Sequence, residues 1–359
     1  MSTHNRKSLV SGPSATLPSK DTARTRIVDV AREAGVSITT VSHAMNGRGQ
    51  VDPSTRERVR HVAERLGYRP NRHAQRLRGG SSDIIALVSS MPFSVAGGAS
   101  RLGFMMEIAA VAAGVALERG LALMLVPSSG GGGAALESLD LDGAIVIEPA
   151  EGDAQVAQLV ERGIPVVTIG SQPGGSHRLS GVDLRSGDTT LQLLEHMRTQ
   201  GRRRIALVTG QQRRSPYLEA VAAYGVFAKR HRMEQVVVTV DENLGEASGR
   251  GALGELLAKL PAVDAICAPV DAVAAGLVPA LRAIGRSVPG DVMIATRYDG
   301  PRARECDPPL TALNLHLDQV ATQAIDLLMA QLRDRSAHAI LRAPNAELIV
   351  RASTTAAPD

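Results

Sequence analysis

The residue types that most often carry catalysis are present in this chain but not assembled. Nine histidines are scattered through its 359 residues, and none pairs with carboxylates at metal-ligand spacing. Cys267 and Cys306 are the two cysteines and lie far apart, which fits a reducing cytoplasm and offers neither a disulfide framework nor a zinc cluster. There is no GxSxG elbow, HExxH, Walker or CxxC motif. The four-glycine run Gly130–Gly133 lacks dinucleotide-binding spacing and reads as a flexible loop. Asp291, after Pro289-Gly290, reads as a turn residue. No catalytic residue, metal or cofactor is expected. One spacing does point to a chemistry. Within Ile27–Asn46 (IVDVAREAGVSITTVSHAMN), Ala31, Gly35 and Val41 stand as in a DNA-binding helix-turn-helix, whose second helix enters the major groove.

Several elements must position that helix. Gly35–Val36–Ser37 forms the turn, where a left-handed backbone would be costly for a residue with a side chain. Ile27, Val30, Ala34, Val41 and Ala44 supply the apolar inner faces, and Ala31 lets the two helices pack closely. The Ser37 hydroxyl can cap the second helix, and Thr25 is expected to cap the first. Asp52–Pro53 starts a third helix, with Val59, Val62, Ala63 and Leu66 on one stripe and its end at Gly67. Three helices in roughly 45 residues make a minimal domain with a marginal core. Arg72–Arg78 can form two helical turns, too short to be stable alone in water; the plainer reading is a basic linker.

Charge is divided along the chain. Residues 1–80 carry 15 lysines and arginines against six acidic residues, a net +9, while the other 279 carry 25 against 30, a net −5. A basic head on a mildly acidic body suits a polyanion-binding module joined to a non-binding domain. Residues 1–24 are rich in Ser, Thr, Pro and Lys without periodicity and read as a disordered tail. No apolar run is long enough to span a bilayer, and the N-terminus shows no secretory pattern.

From Ser82 the pattern changes. Short apolar runs bounded by polar residues occur at Ile84–Ser89, Leu121–Pro127, Gly143–Ile147, Pro165–Gly170, Arg204–Gly210, Gln235–Val240, Ala265–Ala268 and Val292–Ala295. Helix-like stretches alternate with them, including Phe104–Arg119, Ala154–Arg162, Thr189–Gln200, Pro216–Arg232, Ala247–Lys259 and Val273–Ile284. Such alternation predicts an α/β body with parallel sheets. About eight strands suit two doubly wound lobes, with ligand-accessible loops at the strand C-termini. The expected division is a tail over 1–24, a helix-turn-helix domain over 25–70, a linker over 71–80 and a two-lobed domain over 81–359.

Head, linker and body together resemble the lactose/galactose-repressor (LacI/GalR) family of bacterial transcription regulators. The resemblance rests on DVAREAGVSITTVSHAMNG (Asp29–Gly47), TRERVRHVAERLGYRPNRHAQRL (Thr55–Leu77), RRRIALVTG (Arg202–Gly210), VPGDVMIATRYDG (Val288–Gly300) and DPPLTAL (Asp307–Leu313). It covers roughly Thr25 to Ser353. It implies an all-α helix-turn-helix headpiece plus an α/β two-lobed, periplasmic-binding-protein-like (type I) effector domain, the lobes joined by three crossing strands around a ligand cleft.

The resemblance also implies roles for residues. Ile38, Thr39 and His43 match positions facing base edges: Thr39 by hydrogen bonding to a base or a phosphate, His43 by donating to guanine N7 or O6 or contacting a phosphate, Ile38 by apolar contact with a thymine methyl. Ser37, Thr40 and Asn46 match phosphate contacts, which position without reading sequence. Arg72–Arg78 matches a hinge helix that pairs with its dimer mate in the minor groove. There Leu77 is the wedge between bases, Ala74 permits close helix approach, and Arg72, Arg76 and Arg78 neutralise phosphates. In the body, Asp299 matches a ligand-binding carboxylate, Asp271 and Asp183 match positions near the cleft, and Phe104 and Met105 match residues that stack on ligand. The chain departs from the family where Ala220 replaces an arginine, with Arg213 and Arg214 nearby as substitutes. It departs again where the second aspartate of a pair is Gly300. No tetramerisation helix is evident, so a homodimer is expected. The function implied is a cytoplasmic, nucleoid-associated, sequence-specific DNA-binding regulator, a repressor, of a near-palindromic double-stranded operator. A sugar-like or other small-molecule effector would modulate it, with no membrane partner. Two rival classes are a solute-binding protein with an incidental basic head and an α/β enzyme.

Overall fold

A computed structural model of the chain describes residues 25–46, 49–68, 82–91, 103–126, 136–175 and 179–355. The tail over 1–24, the glycine run Gly130–Gly133 and the whole Arg72–Arg78 segment, with Ala74, Arg76 and Leu77, lie outside the described residues. The chain divides into two compact units, Met1–Gly80 and Ser81–Asp359.

In the first unit, α1 (Ile27–Ala34), α2 (Ile38–Asn46) and α3 (Pro53–Arg65) enclose a small core of Val30, Ala31, Ala34, Val41, Ala44, Val59, Val62 and Ala63. Gly35 ends α1 in the left-handed region at φ +64°. Asp52 caps α3, its Oδ2 accepting from the Ser54 and Thr55 amides at 3.0 and 3.2 Å. The expected Thr25 cap is corrected. The Arg26 amide donates to Asp29 Oδ2 at 2.9 Å, closing the first turn of α1. The Thr25 hydroxyl instead donates to the Leu66 carbonyl at 2.9 Å, tying the start of α1 to the end of α3.

The second unit holds two six-stranded sheets among its described residues. One runs β11 (Ile340–Arg342), β5 (Ser180–Asp183), β4 (Val166–Ile169), β3 (Gly143–Ile147), β1 (Ile84–Ser89), β2 (Ala122–Val126), all parallel. The other runs β12 (Glu347–Ile349), β10 (Thr311–Asn314), β9 (Met293–Tyr298), β8 (Ala265–Cys267), β6 (Ile205–Gly210), β7 (Val237–Val240), with only β12 antiparallel. The central strands β3, β4, β6, β8 and β9 are buried at every position, which is why apolar residues dominate their sequences instead of alternating with polar ones. The layers around them are α4 (Phe104–Glu118), α5 (Ala154–Glu161), α6 (Ser186–Thr199), α7 (Ser215–His231), α8 (Glu246–Lys259), α9 (Asp271–Ala283), the short α10 (Pro301–Glu305) and α11 (Leu317–Arg333). Helices α8 and α9 cross at backbone contact: a Cβ on Gly249 would lie 2.1 Å from the Val273 carbonyl oxygen, and one on Gly276 2.0 Å from that of Glu246.

Among the described residues, twelve strands replace the eight expected. The four extra ones, β5, β10, β11 and β12, are three or four residues long and make no continuous apolar run. They cluster where the chain crosses between lobes: β5 to α6, β10 to α11, and β11 to β12. Two of these crossings share one construction. Arg185 and His316 are non-glycine residues in the left-handed region, at φ +54° and +51°, each just before a helix. Each amide donates to the side chain two residues earlier, to Asp183 Oδ1 at 2.8 Å and Asn314 Oδ1 at 3.0 Å.

Candidate functional site

The headpiece presents one face of α2 to solvent. Val41 and Ala44 are fully buried, while Ser37, Ile38, Thr39 and His43 are exposed and Thr40 is half-buried. Ser37 starts the helix: its Oγ accepts from the Thr40 amide at 3.0 Å and lies 2.8 Å from the Thr40 hydroxyl. Ile38, at 43% exposed, is an apolar residue that the fold does not bury. The His43 ring rests against the loop, where a Cβ on Gly49 would come within 2.6 Å of its Nδ1. Asn46 ends α2; its side chain lies outside the described residues. The face therefore offers hydroxyl, imidazole and methyl groups side by side, a combination able to read donors, acceptors and thymine methyls.

The body's cleft lies between the sheets, at the carboxyl ends of their strands, where open α/β sheets bind ligand. Met91, Phe104 and Glu148 come from the first lobe. Tyr217, Pro269, Val270, Asp271, Arg297 and Tyr298 come from the second, and together they enclose only about 20 Å³. That is room for roughly one water.

Charge and aromatic contacts fill the rest. Arg297, at the end of β9, forms an ion pair with Glu148, just past β3. Its other terminal nitrogen donates to the Ser186 hydroxyl at 2.8 Å. Arg214 forms a second staple across the lobes. Its Nε meets Glu242 at 2.9 Å, and its terminal nitrogens donate to the Glu148 and Ser90 carbonyls, both at 2.6 Å. Phe104 meets the Tyr298 ring edge-on, with centroids 5.3 Å apart and planes at 86°; the Arg297 guanidinium lies 5.9 Å from the Phe104 centroid. The Tyr298 hydroxyl donates to Glu107 Oε2 at 2.6 Å. A Cβ on Gly300 would sit 2.2 Å from that tyrosine ring, which accounts for glycine where the family pattern has a second aspartate.

Burial dominates the titration here. It pushes the Glu242 carboxyl up against the opposing pull of Arg214, the Asp271 carboxyl up against that of Arg302, and the Tyr217 hydroxyl well up, aided by the Glu242 charge. Tyr298 is likewise raised by burial and by its bond to Glu107.

The structure brings together two of the six residues expected around a ligand, Phe104 and Asp271; the lining residues do not include the other four. Asp271 begins α9 and pairs with Arg302 at 3.7 Å. Met105 is packed into the core of its lobe. Asp183 supports the crossing turn through the Arg185 amide. Asp299 is claimed by Arg351 at 2.6 Å and Arg304 at 3.2 Å. Arg213 lies outward and pairs with Glu151, while its neighbour Arg214 is the arginine buried between the lobes. Sequence reasoning passed over Glu148, Glu242 and Arg297, and offered Arg214 only beside Arg213 as a substitute for the family's arginine. A signal existed for two of them: Glu148 follows the apolar run GAIVI, and Arg297 is the one charged residue in the strand Met293–Tyr298. Among the described residues, no group of three or more His, Cys, Asp and Glu could hold a metal ion, and no helix is long and apolar enough to cross a membrane.

Two family models match. Residues 26–71 match the bacterial regulatory proteins, lacI family, and residues 194–354 a periplasmic binding protein-like domain. The HTH-type transcriptional regulator CelR of Thermobifida fusca is 30% identical over 347 residues, covering 90% of this chain and 96% of that protein. The HTH-type transcriptional regulator DegA of Bacillus subtilis (strain 168) is 30% identical over 311 residues, covering 81% and 86%. Among solved structures, a CelR–cellobiose complex superposes with a TM-score of 0.66 at 30% identity, covering 92% of this chain and all of that one. A lac repressor dimer bound to operator and the anti-inducer ONPF gives 0.72 at 22% identity, covering 92% and 99%; that second likeness is one of fold.

Proposed function

Because the chain belongs to the lacI family of bacterial regulatory proteins and is a DNA-binding transcriptional regulator, we propose that it is a cytoplasmic repressor without catalytic activity. It acts as a homodimer on a near-palindromic operator, and a small molecule bound in the body's cleft sets its operator affinity. The observation that carries the reading is the exposed face of α2. Ser37, Ile38, Thr39 and His43 look outward from a helix whose opposite side is fully buried, and a reading helix needs that arrangement. In this reading Ile38, Thr39 and His43 face base edges, Ser37, Thr40 and Asn46 meet phosphates, and the basic Arg72–Arg78 segment adds contacts to the duplex. Two such heads in a dimer would place half-sites about one helical turn apart.

The cleft supports a ligand-coupled function. Five cross-lobe contacts converge there or beside it: Arg297–Glu148, Arg214 to the Glu148 and Ser90 carbonyls, Tyr298–Glu107, Phe104–Tyr298 and Arg213–Glu151. A molecule that enters must rearrange them, so it interacts differently with open and closed lobes. That differential is the thermodynamic requirement for shifting an equilibrium. The test is genome-wide footprinting of the full chain. Protection of paired half-sites upstream of a small set of genes is expected. Uniform, salt-sensitive coverage without discrete sites would favour a solute-binding protein with an incidental basic head.

A further inference from the structure

We infer that the molecule taken by this cleft is a small zwitterion, with a carboxylate and a cationic nitrogen on the same carbon as in an α-amino acid, rather than a neutral saccharide. The inference rests on the reading of the cleft as the ligand site.

Glu148 is fully buried and carries a left-handed backbone, φ +44°, although it is not glycine. Such strain, held at a buried charge, marks a position that the surrounding structure over-determines. Its Oε1 pairs with Arg297, while its Oε2 has no hydrogen-bond partner. Arg297, 7% exposed, leaves its Nε without one, and so does the hydroxyl of the buried Tyr217. All three residues line the same 20 Å³ cavity. The closed cleft thus holds one buried charge of each sign, each with hydrogen-bonding capacity to spare, facing each other from opposite lobes.

A ligand entering between the lobes separates that pair. A buried charge left without its counterpart is strongly disfavoured. Neutral hydroxyls give each charge hydrogen bonds but no opposite charge. A zwitterion gives both: its carboxylate takes over Arg297, and its ammonium takes over Glu148. The second lining carboxylate, Asp271, already has Arg302 as counter-ion at 3.7 Å. Arg214 keeps Glu242, which comes from its own lobe, as counter-ion at 2.9 Å when the lobes part. Neither therefore needs the ligand. Around the pair, Met91, Phe104, Val270, Pro269 and Tyr298 form an apolar collar for the rest of a small, partly hydrophobic molecule.

The experiment is calorimetric titration of the purified full chain with each of the twenty protein amino acids, and with glucose and cellobiose. For any amino acid that binds, its methyl ester and its N-acetyl derivative follow. At least one amino acid is expected to bind, with affinity falling about tenfold or more when either charge is blocked. Glu148→Gln and Arg297→Lys are expected to abolish binding, with folding of each variant checked by its melting transition. If a variant fails to fold, the ester and N-acetyl comparisons in the native chain decide alone. Binding of glucose or cellobiose that is sensitive to Glu148→Gln would overturn the ligand class and leave the cleft as the site. Amino-acid binding unaffected by either variant would overturn both. Failure of every amino acid to bind overturns the inference.

Discussion

Arg297 of β9 and Glu148 at the end of β3 face each other from different sheets and close the cleft as a buried ion pair. Their side chains are 8% and 0% exposed, so neither can trade its partner for water. Truncating one should therefore cost more than losing a surface bridge. Arg297→Ala or Glu148→Ala alone should destabilise the body by about 3–5 kcal/mol, whereas replacing both by apolar residues of similar volume, Arg297→Met with Glu148→Leu, should recover most of that. Urea unfolding of the native chain, Arg297→Met, Glu148→Leu and the double variant measures the cycle. Additive losses in the double variant would show that the pair is not the energetic unit.

Much of this molecule can be read from its sequence where burial is two-sided. β3 is buried at every position and β1 at all but its first, so Gly143–Ile147 and Ile84–Ser89 announce themselves as apolar runs. The crossing strands do not. β5 reads Ser-Gly-Val-Asp and β11 Ile-Leu-Arg; their pairing with each other joins residues more than a hundred positions apart. The cleft was legible only in outline. Phe104 and Asp271 follow from the family pattern, but Asp299 is drawn away by Arg351, 52 positions later, a contact that no local spacing encodes. Arg214 and Arg213 are adjacent in sequence yet one faces the cleft and the other solvent, a difference of side-chain direction that composition cannot supply.

The helix crossing of α8 and α9 separates two kinds of glycine on one helix. Gly249 and Gly276 stand where backbones meet, whereas a Cβ added to Gly251 or Gly254 in α8 would meet nothing within 4 Å. Gly276→Ala should cost at least about 1–3 kcal/mol through overpacking. Gly254→Ala should stabilise by roughly 0.5–1 kcal/mol, because alanine loses less backbone freedom in a helix. Thermal melts of the two single variants suffice. Equal effects would mean that the helices can slide apart at no cost.

Asp299 predicts a pH dependence. Burial alone would raise its carboxyl, but Arg351 and Arg304 outweigh it and hold the group below the usual carboxylate range. A depressed folded-state value means that the unfolded chain binds the proton first. The stabilisation is then complete above the unfolded value of about 3.9 and is lost as pH falls through the lower folded value. Asp299→Asn should therefore lower the melting temperature at pH 7, and the gap to the native chain should narrow below about pH 4. A gap that stays constant down to pH 3 would place the contribution in packing rather than in the two ion pairs.

The exposed face of α2 makes the sharpest functional prediction, because its side chains differ in what they can discriminate. A hydroxyl or imidazole on a base edge carries sequence information, whereas one on a phosphate does not. On an operator selected from random duplexes, Thr39→Ala and His43→Ala should each cost about 1–3 kcal/mol and relax the preference at one base position. Ser37→Ala removes the Thr40 cap as well as a phosphate contact and should weaken all sequences alike. Gly49→Ala tests the support of the reader: its Cβ would press on the His43 ring at 2.6 Å, so it should change the preference at the base position that His43→Ala relaxes, with a separate loss of headpiece stability from the left-handed backbone at φ +70° that a thermal melt reads. Fluorescence anisotropy against singly substituted operators distinguishes these outcomes. An unchanged base preference in His43→Ala would remove that residue from the reading face and leave Thr39 and Ile38 to carry it.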